Sequence, residues 1–301
     1  MSDVNPGTPE ISSRLRISAK QINMFGARQL KEGRLGGCPR SWAAYYLDHF
    51  RPEFLDPALI DGIKFHDVCR ALTMTGRMPA PRWLQPQVFL SLEDVAPDGH
   101  FGKMARAALV QLPEHFIEVP FRERPIAWLA EQEWLFPWTT DKGVACDVDL
   151  RPDLCAFDEH ALLELVDFKS TSDKRYALVE LKDDPQANLY AFGLMKRFGR
   201  DVIRVTWIYV NKKTLACWRI QSIMRLAEVE KWIHENLDAT IELISVARDN
   251  KLRALDLPGD DTACQGQGFR CDFAGPCMDL WGPKEPRLIT LDEIVRYKNG
   301  K

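Results

Sequence analysis

The sequence predicts an α/β fold, and three observations predict it. Helical patterns fill the first part of the chain, a strand-rich middle encloses one helix, and a long amphipathic segment precedes a cysteine-rich end; that order suits a mixed sheet covered by helices. The apolar run Leu162-Leu163-Glu164-Leu165-Val166 reads as a buried strand. The chain has 301 residues, 46% of them hydrophobic, enough to fill one large domain or two small ones.

The elements follow in order. Residues 1–14 form a polar lead-in with Pro6 and Pro9, expected to be disordered and unlike a signal peptide. Leu15-Arg16-Ile17 is a short extended entry, and Ser18 suits the N-cap of a helix through about Leu30. Gly33, Gly36 and Gly37 break that helix, and Pro39 opens another through Phe50. Its Trp42, Tyr45 and Tyr46 suit a helix–core role more than base stacking. A helix from Asp61 to Met74 carries His66, Pro79 to Pro86 is a proline-rich connection, and Phe101 to Leu112 is helical. Ile126 to Trp138 alternates as a strand.

Next comes a hairpin: Asp153 to Phe157, a polar turn at Asp158, Glu159 and His160, and the apolar run into Asp167-Phe168-Lys169. Asp184-Pro185 starts a helix through Phe198. Val202–Val210 and Ala216–Ile220 are strands joined at Asn211-Lys212-Lys213, and an amphipathic helix runs from Ser222 to about Arg248. There is no internal repeat.

Composition excludes some functions. A net charge of −3 gives no global basic field, so any nucleic-acid binding must use a local patch. No run approaches a membrane span, and eight cysteines without a secretory signal point to a reducing, cytoplasmic compartment.

The chemistry gathers at the end of the apolar strand. Strand side chains alternate, so Asp167 and Lys169 share one face and Phe168 takes the other. A hairpin centred on His160 sets Asp153 opposite Asp167. Opposed carboxylates repel unless a cation lies between them or one is protonated. The spacing D-x13-D-x-K therefore suits Mg2+ or Mn2+, with Lys169 positioned to orient a water or neutralise developing charge. Gln186 and Tyr190 share one face of the following helix.

In this order the motifs resemble the RecB-like branch of the PD-(D/E)XK nuclease superfamily. Ser18 to Tyr46 resembles its N-terminal segment, and Gly62 to His66 its glycine–histidine motif. Asp153 resembles its first acid, Asp167-Phe168-Lys169 its D-x-K core, and Gln186 to Tyr190 its Q-x-x-x-Y motif. The likeness covers about residues 15 to 280 and departs from the pattern at Leu150, where the family usually has glycine; Asp147 and Asp149 are nearby acids.

The resemblance implies a restriction-endonuclease-like core, a central mixed sheet flanked by helices. It divides the chain into an N-terminal helical region (15–125) with Cys38 and His66, a nuclease core (126–255), and a cysteine-rich cluster region and tail (256–301). It implies that His66, Asp153, Asp167 and the carbonyl of Phe168 ligate the metal and that Lys169 is catalytic. Gln186 and Tyr190 would line the DNA path. Lys174 and Arg175, in the loop after the strand, are best placed for phosphates. Glu131 and Glu133 are surface residues or extra ligands.

Cys264, Cys271 and Cys277 lie in a glycine-rich loop that suits soft metal binding, with Cys38 the best fourth ligand. The resemblance, which extends to phage-encoded and CRISPR-associated members, implies a [4Fe-4S] cluster; Zn2+ is the alternative. Cys69, Cys146, Cys155 and Cys217 read as core residues. The implied function is a metal-dependent exonuclease acting on single-stranded DNA or free DNA ends, with recombination or CRISPR-adaptation proteins as partners. The rival readings are a catalytically silent iron–sulfur or zinc DNA-binding subunit and a zinc-bearing structural protein with an incidental D-x-K.

Overall fold

A computed structural model describes residues 14–25, 37–49, 55–96, 98–112, 133–157, 162–172, 180–257 and 277. Two sheets organise them. The first has the order β1 (Leu15–Ser18), β5 (Ala145–Leu150), β4 (Trp134–Thr139), with β1 parallel to β5 and β4 antiparallel to it. The second has the order β6 (Leu154–Phe157), β7 (Leu163–Thr171), β8 (Val202–Asn211), β9 (Cys217–Arg225). In it β7 and β8 run parallel, and β6 and β9 are the antiparallel edges.

The parallel pair requires a crossover, and α5 (Pro185–Phe198) supplies it. Asp184 caps α5 by accepting from Ala187 N at 2.8 Å, and Gly199 ends it at φ +60°. All residues from Ala187 to Met195 are buried, as befits a helix enclosed on every side. Phe192 packs edge-on against Phe136 and Trp138 of β4, while Leu163, Leu165 and Val205 approach from the second sheet as part of the same core.

Helices α1 (Ala19–Phe25), α2 (Pro39–Tyr46), α6 (Leu226–Asn236) and α7 (Asp238–Asp249) close this core. The other face of β7–β8, with Val166, Phe168, Ile208 and Val210, packs under α3 (Pro57–Thr75) and α4 (His100–Leu109). β7 is thus buried on both faces, which explains its unbroken apolar run.

Several expectations hold. Ser18 Oγ accepts from Gln21 N at 3.3 Å at the start of α1, and Trp42 is a core residue. Leu154 pairs with Val166 and Phe157 with Leu163, which is the register of a hairpin centred on residue 160. Cys69, Cys146 and Cys155 are buried and Cys217 is half-buried.

Other expectations change. The proline-rich connection holds a small hairpin, β2 (Arg82–Gln85) with β3 (Val88–Leu90). The strand expected from Ile126 is seen at Trp134–Thr139, and 126–132 lie outside the described residues. The single helix from Ser222 is a strand to Arg225 followed by two helices broken at Leu237. Backbone pairing with β8 through Val202–Arg225 overrides the amphipathic period there. At the break, Asp238 accepts from Trp138 Nε1 and Asp141 N, both at 2.8 Å, which pins the start of α7 to β4 and its turn.

Candidate active site

β7 carries Asp167 and Lys169 toward α5, and α3 brings His66 to the strand's other side. The link between them is Asp153, just ahead of β6. Its Oδ1 lies 3.0 Å from His66 Nδ1, and its Oδ2 accepts from Phe168 N at 2.7 Å. With Nδ1 turned to Asp153, the neutral ring presents the Nε2 lone pair. Lys169 Nζ stands 2.6 Å from Asp167 Oδ2 and donates to Gln186 Oε1 at 2.7 Å. Gln186 Nε2 in turn donates to Asp167 Oδ1 at 3.0 Å. Its amide therefore holds the acid and the lysine in one plane of contacts from the first turn of α5. The Lys169 ammonium also lies 5.4 Å from the Trp207 ring centre.

The electrostatics divide the two carboxylates. Burial is the main push on Asp167; Lys169 opposes it, the Asp153 charge adds to it, and the carboxyl sits at about 6. Asp153 goes the other way. Burial would raise it, but His66, Lys169 and the Phe168 N–H hold it below the usual carboxylate range. Burial would lower His66, yet the Asp153 carboxylate prevails and brings the ring to about 8. Burial would likewise lower Lys169, but Asp167 raises it, so the side chain is an ammonium ion. Burial and the two acids push the Tyr190 hydroxyl up.

This donor set fits a hard divalent cation. It offers two carboxylates and an imidazole around one strand end. The Oδ2 of Asp167 is buried and faces the Lys169 ammonium at 2.6 Å; a buried carboxylate oxygen is costly unless a cation meets it, and here Lys169 does.

Asp147 and Asp149, the other nearby acids, are engaged elsewhere. Asp149 pairs with Arg16 at 2.8 Å, and Asp147 lies 3.9 Å from Arg14. Glu133 is exposed and also pairs with Arg16. Leu150, in place of the family's glycine, has a counterpart on α5: a Cβ on Gly193 would come within 2.0 Å of Leu150 Cδ1. The leucine fills space that the helix vacates.

Gln186 joins the site directly. Tyr190, one turn further along α5, is 9% exposed. Lys174, Arg175, Glu131, Cys264 and Cys271 lie outside the described residues. Cys38 and Cys277 are both buried. Sequence reasoning did not pick out Trp207; its position opposite Asp167 on β8 follows only from the parallel register. A second grouping, Asp141, His234 and Asp238, brings ligand atoms within 4.8 Å of one another. Its contacts serve as the clasp between β4 and α7.

A mixed sheet with a crossover helix thus brings two acids, a histidine and a lysine together at one strand end, the arrangement of a D-x-K site. The sequence matches the family model of the PD-(D/E)XK nuclease superfamily over residues 33–277, and the chain belongs to that superfamily. Members of that superfamily are typically nucleases that use divalent metals such as Mg2+ or Mn2+. No curated protein matches the sequence. A solved structure titled "Crystal structure of SSO0001" is similar at 11% identity and a TM-score of 0.26, over 36% of this chain. The chain spans about half the length of that protein, 50%. No helix among the described residues is long and apolar enough to cross a membrane.

Proposed function

We propose that this chain is a RecB-like deoxyribonuclease that hydrolyses phosphodiester bonds at DNA ends. The observation that carries the reading is the pair His66–Asp153 beside the group Asp167–Lys169–Gln186, linked through the Phe168 N–H that Asp153 accepts and drawn from α3, the β6–β7 hairpin and α5. His66, Asp153, Asp167 and the Phe168 carbonyl would hold Mg2+ or Mn2+. When bound, the ion supplies a Lewis acid that acidifies water and offsets charge on the phosphate. Lys169, kept protonated by Asp167 and aimed by Gln186, acts as a fixed cation toward charge developing on the phosphate, not as a base. Gln186 and Tyr190 would face the DNA path along α5, and Lys174 and Arg175 its phosphates.

The cysteines extend the reading. Cys38 caps α2, whose Arg40 donates to Leu257 O at 2.9 Å, and Asp48 pairs with Arg253 at 3.1 Å. These contacts bring the first cysteine beside the chain leading into the cysteine-rich region, and Cys277 is buried against the same core. On the resemblance, Cys38, Cys264, Cys271 and Cys277 would hold a [4Fe-4S] cluster that ties the chain's two ends together, with Zn2+ as its rival. The setting would be cytoplasmic DNA processing in recombination, repair, phage replication or CRISPR adaptation.

The test uses anaerobically purified protein with end-labelled single- and double-stranded DNA and Mn2+. Cleavage from ends that is lost in Lys169→Ala is expected, together with visible iron–sulfur absorption. Activity that survives Lys169→Ala overturns the site. No cleavage of any DNA favours a silent binding subunit, and a colourless zinc protein removes the cluster.

A further inference from the structure

The β2–β3 hairpin has two unlike faces. Its inner residues Val88 and Leu90 are fully buried, and Leu90 packs with Phe65 and Val68 of α3. Arg82 Nη2 donates to both carboxylate oxygens of Asp67 at 2.8 Å, and Asp67 is the neighbour of His66. A two-stranded ribbon this short has little stability of its own; these contacts fix it to the helix that carries the site histidine.

The outer face carries Trp83 and Phe89, which are register partners. Their ring centres lie 5.0 Å apart with planes at 54°, and they are 66% and 41% exposed. Two aromatic rings left together in water forgo the burial that normally drives such residues inward. The exposed Arg77 leads into the hairpin and offers a cation to an anionic partner; Arg82 is taken up by Asp67, and Glu93 follows just beyond the hairpin. The exposed Gln87 in the turn adds an amide able to meet base edges.

We propose that this hairpin is a base-stacking platform for single-stranded DNA, with Trp83 and Phe89 as the rings and Arg77 as a phosphate contact. Stacking on aromatic rings is indifferent to base identity, as an enzyme that degrades DNA from its ends requires. The inference rests on the nuclease reading and names the form of DNA that the site receives: a single strand held on a ledge fixed to α3.

The test is fluorescence anisotropy of a 5′-labelled dT oligomer in EDTA, where no cleavage occurs. Trp83→Ala with Phe89→Ala is expected to weaken binding about tenfold or more with the salt dependence unchanged. Trp83→Phe with Phe89→Tyr is expected to keep it. Arg77→Gln is expected to reduce the salt slope by about one. Wild type should prefer dT over an abasic strand of equal charge, and the double alanine variant should lose that preference. In cleavage assays the alanine variant should raise KM and leave kcat alone; both rings are exposed, so its melting temperature should stay near that of wild type. If it proves unstable, Trp83→Gln and Phe89→Gln singly replace it in the same comparison. Equal dT affinity in wild type and ring variants overturns the inference, as does a change in oligomeric state that tracks the rings, which would assign them to a protein contact. Wild type that cleaves DNA but ignores the rings removes this inference alone; wild type that neither binds nor cleaves DNA removes the nuclease reading as well.

Discussion

His66 on α3 and Asp153 ahead of β6 meet at 3.0 Å, joining the N-terminal helices to the strand that bears the D-x-K residues. The carboxylate also takes the Phe168 N–H, so one side chain orients the imidazole and anchors the backbone of the neighbouring strand. Asp153→Asn and His66→Ala should each lower Mn2+-dependent cleavage about tenfold to a hundredfold or more through metal affinity. Raising Mn2+ should restore part of the His66→Ala loss and none of a Lys169→Ala loss. Metal titrations of activity for the three variants check this; identical metal dependence throughout would count against His66 as a ligand.

The metal-free protein should lose stability as pH rises from 6.5 to 8. The His66 ring sits at about 8 when folded, above its ordinary 6.5. Its contribution is complete below 6.5 and gone above 8. Asp167, at about 6 against an ordinary 3.8, lowers stability over the more acidic window from 3.8 to 6. Mn2+ requires both groups deprotonated, so its stabilising effect should grow over the same rise in pH. Melting temperatures at pH 6.5 and 8.5, in EDTA and in Mn2+, give the comparison. A metal effect that shrinks with pH would rule out these two residues as ligands.

Gly193 and Leu150 should behave as one unit. Gly193→Ala places a methyl against Leu150 Cδ1 and should cost about 1–3 kcal/mol by overpacking. Leu150→Ala should cost about 2–5 kcal/mol by leaving a cavity. The double variant should be more stable than the sum of the two losses predicts, because each change relieves the other. Urea titration of the four proteins measures the coupling, and simple additivity would show that the helix shifts away instead.

Glu164, within the apolar run of β7, is fully buried and held by Arg204 at 3.1 Å and Thr206 Oγ1 at 2.9 Å. Arg204→Met should destabilise the fold by about 3–5 kcal/mol, since it leaves a buried charge with too few partners. Glu164→Leu combined with Arg204→Met should recover most of that loss. Chemical denaturation reads both, and a harmless Arg204→Met would mean that the remaining contacts of Glu164 suffice.

Much of the site was legible because its signals are local. The expected centre at residue 160 matches the observed pairing of 154–157 with 163–166, and alternation along β7 fixes the faces of Asp167 and Lys169. The Asp184 cap and Gly199 stop bound α5, and Gln186 and Tyr190 share its face by helical period. Elements held by distant partners were not legible. Residues 222–225 carry a period that suits a helix, and only β8 makes them a strand. β2 and β3 lie among prolines and stand because Arg82 reaches Asp67.

The sequence by itself determined the α/β class, the strand that bears the site and the residue types able to hold a divalent cation, since hydrophobic period, caps and turn residues act over a few positions. Tertiary structure decided which acid meets the histidine, sending Asp149 to Arg16 and Asp153 to His66. It also set Trp207 beneath Lys169 and packed Leu150 against Gly193. Each of those outcomes depends on sheet register and on helices closing over the sheet, which couple residues scores of positions apart and leave no local trace in the chain.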